Sequence, residues 1–175
     1  MKLSQARLKE VLRYSPIVGV FEWRVAGRRI RPGFLAGGPI GDGYIGITVD
    51  GRRYPVHVLA WLYMTGEMPP VLIDHIDGDK SNNAFGNLRL ATHSQNSCNA
   101  KVNAANKSGV KGVFFVKSSG KWRARLRKAG EVVFDRCFDS IEDARGAITA
   151  ARSAIHGEFA NHGLHGYISE ELDSK

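Results

Sequence analysis

Apolar and polar positions along the chain change period several times, and each change predicts an element. Leu8, Val11 and Leu12 fall on one helical face behind Ser4, whose hydroxyl can cap the first turn, and Leu3 is placed to staple against Leu8. A short helix that stops before Pro16 follows. Gly19 to Val25 alternates with a period of two, as a half-buried strand does, and the glycine-rich stretch Gly33 to Gly43 predicts a loop. Tyr44 to Val49 and Arg53 to His57 predict two more strands. They are joined at Asp50-Gly51, a pair that suits a tight hairpin turn.

From Val56 the pattern is apolar nearly all round as far as Met64, ends at Gly66 and is followed by Pro69-Pro70, which predicts a buried helix. Val71 to Ile76 and Asn87 to Thr92 predict two strands flanking a polar loop, Asp77 to Gly86, and a helix beginning near Ser94 carries Asn96. Asn99 to Ser108 has no apolar period and reads as a linker. Lys111 to Val116, Lys121 to Arg127 and Glu131 to Phe138 predict three strands. Ser140, with Asp143 three residues on, then caps a helix whose apolar stripe is Ile141, Ala144, Ile148, Ala151 and Ile155. The expected fold is α+β. A β-rich segment spans residues 1–56 and a mixed core 57–100; a linker over 101–107 leads to a sheet-plus-helix unit over 108–160, and a weakly ordered tail covers 161–175.

Composition narrows the function. No apolar run approaches the roughly 20 residues that span a bilayer, and the first ten residues interleave charge with apolar side chains, so neither a membrane span nor a secretion signal is expected. Cys98 and Cys137 stand far apart without a CxxC, which excludes a disulfide framework and a cysteine-rich zinc site and fits a reducing cytoplasm. A net charge of +8 would concentrate polyanions around the protein, nucleic acid foremost.

Chemistry concentrates in one place. Asp74-His75-Ile76-Asp77-Gly78-Asp79, Asn82-Asn83, Asn87-Leu88-Arg89 and Asn96 lie within about two dozen residues. A carboxylate and an amide oxygen suit a hard cation such as Mg²⁺ or Mn²⁺, and a neutral imidazole beside it can take a proton from water near neutral pH. Neighbours on a strand point to opposite faces, so Asp74 and His75 should not share one role. Asp77, Gly78, Asp79, Asn82 and Asn83 read as turn formers, and His57 as a helix-start or packing residue. The spacing of Asp74, Asp77 and Asp79 fails the EF-hand pattern, which needs a glycine at its sixth position and a glutamate at its twelfth.

These residues, with the upstream His57-Val58-Leu59-Ala60-Trp61 and downstream Asn87-Leu88-Arg89-Leu90-Ala91-Thr92, resemble the HNH, or ββα-metal, nucleases of the phage and homing-endonuclease branch, from about Val56 to Asn99. The resemblance implies His75 as general base, Asp74 and Asn96 as metal ligands, and Asn87 as the residue that holds the loop and orients the histidine. It also implies a divalent cation, double-stranded DNA as substrate, and a monomeric enzyme in the cytoplasm of a bacterial host, phage-encoded.

In the last unit one strand alternates Trp122, Ala124 and Leu126 with Arg123, Arg125 and Arg127, so one face can pack on the helix while the other offers guanidinium groups to phosphates or guanine edges. Ser108 to Val113, Gly120 to Ala124 and Gly157 to Ala160 resemble the DNA-binding domain of plant ethylene-response (Apetala-type) factors. That family lays its sheet in the major groove, which assigns Lys111, Arg123, Arg125 and Arg127 to DNA. A DNA-binding regulator without cleavage is the alternative from a different class.

Overall fold

The Ser4 hydroxyl accepts the Arg7 amide at 3.2 Å and opens the first helix, α1 (Gln5–Val11). The helix ends sooner than its apolar face predicts, because Leu12 is extended and begins β1 (Leu12–Ser15), whose partner β2 (Val20–Trp23) lies antiparallel with Leu12 opposite Trp23. Pairing with a neighbouring strand captures Leu12 to Ser15, which local periodicity alone would leave helical. The structure is a computed structural model that describes residues 3–27, 30–99, 102 and 106–163.

The glycine-rich stretch expected as a loop forms two short strands, β3 (Leu35–Ala36) against β2 and β4 (Gly38–Gly41) against β5 (Tyr44–Val49). Glycine assists here through close approach. The Ile40 side chain lies over Gly46 on the facing strand, where a Cβ would stand 2.6 Å from Ile40 Cγ2. β5 turns at Asp50-Gly51, both with positive φ (48° and 79°), into β6 (Arg52–Pro55), completing a three-stranded sheet.

The buried helix α2 (Val56–Thr65) stops at Gly66, whose φ of 88° lets its amide donate to the Leu62 carbonyl. Next come β7 (Leu72–His75) and β8 (Leu88–Ala91), an antiparallel pair with Asp74 opposite Arg89 and His75 opposite Leu88, and then α3 (His93–Cys98). In chain order this is the ββα succession of the nuclease motif.

The chain divides into two compact units, Met1–Thr92 and His93–Lys175. In the first, Leu8, Leu12, Phe21, Ile47, Leu59, Ile73 and Leu88 share one core, so the N-terminal segment and the β7–β8 hairpin fold around the same apolar centre. In the second, β9 (Val113–Val116), β10 (Lys121–Lys128) and β11 (Glu131–Phe138) form an antiparallel sheet with β10 central. The helix α4 (Ile141–His156), capped by the Ser140 hydroxyl on the Asp143 amide, packs across it, with its Ala144 and Ile148 in one core with Val113, Ala124 and Leu126.

The protein is therefore α+β throughout, with a β-rich N-terminal segment and a C-terminal three-stranded sheet carrying one helix. Much of the expected linker (101 and 103–105) and the tail beyond Gly163 lie outside the described residues. Among the described residues no helix is long and apolar enough to cross a membrane.

Candidate active site

Asp74 and His75 close β7, and both are 4% exposed. Across the hairpin, Arg89 donates from Nε and Nη2 to the same Asp74 oxygen, Oδ2, at 2.9 and 2.8 Å. A carboxylate this buried is costly without a cation, and the guanidinium, itself mostly covered, supplies one from the directly opposed strand position.

His75 faces a different set of partners. Its Nε2 lies 3.2 Å from Asn83 Oδ1. The His57 ring meets it nearly perpendicularly with centroids 5.2 Å apart, and Tyr44 lies against both imidazoles at 5.2 and 6.0 Å. The Lys80 ammonium sits over the outer side of this cluster, 4.6 Å from the Tyr44 ring centroid. Burial, with a smaller contribution from His75, pushes the His57 imidazole down to about 4, and its buried Nδ1 has no hydrogen-bond partner among the described residues. His57 is consequently neutral near pH 7.

The loop between the strands is closed at its neck by Asn87. Its Nδ2 donates to Asp77 Oδ1 and to the Asn82 carbonyl, its Oδ1 accepts the Asp77 amide, and its carbonyl accepts the Ile76 amide next to His75. Asp77 and Asp79 spend their oxygens on loop amides and on Asn82 and Ser81, as turn residues do. Asn83 departs from the turn role expected of it. It is 1% exposed, and its side chain reaches His75. Arg89 was visible only as a letter of the motif. Strand register alone makes it the partner of Asp74.

Asn96 lies on α3, part-buried, and belongs to the second unit. Among the described residues no three His, Cys, Asp or Glu side chains gather as a metal cluster. The oxygen chemistry of Asp74, a buried carboxylate, nevertheless fits a hard divalent cation better than zinc.

In the second unit β10 separates its faces as the alternation implies, with Ala124 and Leu126 buried on the helix side. The opposite face is less cationic than three alternating arginines suggest. Arg123 and Arg125 both donate to Asp135 of β11, at 2.6 to 2.9 Å, and Arg127 donates to the Gly130 carbonyl. Phe114, opposite Arg123 in the register, adds an exposed ring to that face. Lys111 stands ahead of β9 and not on it. Its ammonium donates to the Cys98 carbonyl, and burial, reinforced by Arg152, lowers it to about 8.

With this geometry in view, the comparisons with known proteins are direct. Residues 54–98, which hold α2, β7, the loop, β8 and α3, match the model of the HNH endonuclease family. Protein 3.8 of Escherichia phage T7 is 37% identical over 105 residues, 59% of this chain and 86% of that protein. The chain belongs to the HNH endonuclease family, and it is an enzyme of that class. An uncharacterized HNH endonuclease of Acanthamoeba polyphaga mimivirus is 35% identical over 100 residues, 57% of this chain and 51% of that one. A solved structure titled for DNA binding and cleavage by the HNH homing endonuclease I-HmuI aligns with 83% of this chain and 85% of that chain, at 20% identity and a TM-score of 0.39.

Proposed function

We propose that the protein is a divalent-metal-dependent endonuclease acting on double-stranded DNA, with His75 as general base. The observation that carries this reading is the end of β7, where a buried carboxylate and a buried imidazole occupy successive positions and each is held by a different partner, Arg89 and Asn83. Asp74 and Asn96 would hold Mg²⁺ or Mn²⁺, which when bound supplies charge stabilisation at the scissile phosphate and its 3′ leaving oxygen. Arg89 fixes the rotamer of Asp74 through Oδ2. His75 takes the proton of the attacking water, and Asn87 keeps the strand ends together so that the imidazole stays at the mouth of the loop.

The sheet-plus-helix unit over 108–160 is proposed to bind the duplex in the manner of the Apetala-type domains, through Arg123, Arg125 and Arg127, with Lys111 as a contributor from outside the sheet. The phage and mimivirus origin of the relatives supports a virus-encoded enzyme, and a monomer acting in the host cytoplasm is proposed with it. Incubation of supercoiled plasmid with the full chain tests the reading. Nicked or linear product with Mg²⁺ and none with EDTA is expected, and undiminished cutting in EDTA would refute it.

A further inference from the structure

The proposed chemistry uses nothing before Asp74, yet the β1–β2 hairpin touches the loop behind His75 at three points. The phenol of Tyr14 donates to the Asn83 carbonyl at 2.6 Å. The Phe85 amide donates to the Pro16 carbonyl at 2.8 Å. Gly19, at a φ of 79°, lies so close to the Asn83–Ala84 peptide that any Cβ there would overlap the Asn83 carbonyl carbon and the Ala84 nitrogen. Tyr14 is itself fixed, 5% exposed and stacked on Phe21 with centroids 4.7 Å apart.

We propose that Asn83 is a positioning residue that sets the tautomer of His75, and that the β1–β2 hairpin is the brace that holds Asn83 in place. The inference rests on His75 being the general base. Its logic is one of donors and acceptors. Asn83 Nδ2 donates to the Ser81 carbonyl at 2.9 Å, and a carbonyl only accepts, so the amide has one orientation. Oδ1 therefore faces His75 Nε2, and an amide oxygen also only accepts. Nε2 must carry the hydrogen, which puts the lone pair of the neutral ring on Nδ1. A base presented through the wrong nitrogen cannot reach the water it must deprotonate, and a mis-set tautomer in a catalytic triad costs about 10⁴-fold. The loop alone could not guarantee this, because its other side-chain bonds tie Asp77, Asn82 and Asn87 and leave the Asn83 backbone to the hairpin.

The test uses the full chain and supercoiled plasmid with Mg²⁺, together with long-range ¹⁵N–¹H spectra of the metal-free protein in which the His75 ring is assigned by its absence from His75→Gln. Wild type should show His75 protonated at Nε2. Asn83→Leu should lose that preference and lower kcat at least about tenfold with KM unchanged. Asn83→Asp, which keeps an acceptor toward Nε2, should retain the tautomer and more of kcat than the leucine variant. Tyr14→Phe removes only the brace bond and should lower kcat several-fold at constant KM, and it decides the matter if Asn83→Leu does not fold. Wild-type kcat and an unchanged tautomer in Asn83→Leu, or in Tyr14→Phe where that variant stands alone, would overturn the proposal. A fully active His75→Gln would instead overturn the assignment of the base, so the two failures are distinguishable.

Discussion

His75 carries the sharpest consequences at the scale of single residues. Replacing it by alanine should lower cleavage by roughly 10²-fold or more, the usual scale for a lost general base, while duplex affinity stays nearly constant because the imidazole serves a proton and not the groove. Single-turnover rates and gel-shift affinities on one substrate check this, and wild-type cleavage would exclude the role. His57 gives a different kind of prediction. Its folded pKa of about 4 lies below the ordinary 6.5, so the unfolded chain binds its proton first as pH falls. The stability linked to His57 is thus complete above about pH 6.5 and is lost toward pH 4, by about 3 kcal/mol. Urea unfolding across this range should show a shallower pH dependence in His57→Leu than in wild type. Equal slopes would mean that His57 is not kept neutral by burial.

Between strands, the pair formed by Asp74 and Arg89 joins β7 to β8 at directly opposed positions. Arg89→Ala would leave a 4% exposed carboxylate without its guanidinium, and removal of one partner of a buried ion pair costs about 3–5 kcal/mol. The variant should unfold at markedly lower urea concentration, and Arg89→Lys should recover only part of that stability because an ammonium cannot repeat the two bonds from Nε and Nη2. An unchanged midpoint in Arg89→Ala would show that the pair does not hold the hairpin. The elements themselves were largely legible in the sequence. Gly66 and the Asp50-Gly51 turn were, since positive φ is a local demand that residue type answers. The early end of α1 and the strands β3 and β4 were not, since they depend on pairing with other strands.

For the whole molecule, the question is how cutting and binding divide between the two units. Alanine at Arg123, Arg125 and Arg127 together should weaken binding and flatten its salt dependence, by about 0.9 in the log–log slope for each phosphate no longer neutralised. Asp135 moderates the expectation. It pairs with two of the three arginines, so a slope change no larger than a single phosphate accounts for would mean that these side chains serve the sheet more than the DNA. A chain ending near Lys107 should keep weak, poorly selective nicking and lose tight binding. Equal affinity and site choice in the truncated and full chains would show that the C-terminal sheet does not read DNA.

The sequence by itself determined the family and the α+β class, because the motif from His57 to Thr92 and the alternation of apolar and polar positions are local properties of the chain. It also marked the alternation of Trp122, Ala124 and Leu126 with arginines, since side-chain direction on a strand follows from its period of two. Only the tertiary structure decided the partners. That Arg89 neutralises Asp74, that Asn83 turns from a loop residue into the neighbour of His75, that Asp135 draws in Arg123 and Arg125, and that Lys111 bends to Cys98 all depend on register, burial and long-range approach. A hydrogen bond has no signature in the sequence when its two ends are brought together by the packing of other residues. The bond from Tyr14 to Asn83, 69 positions apart, is of this kind.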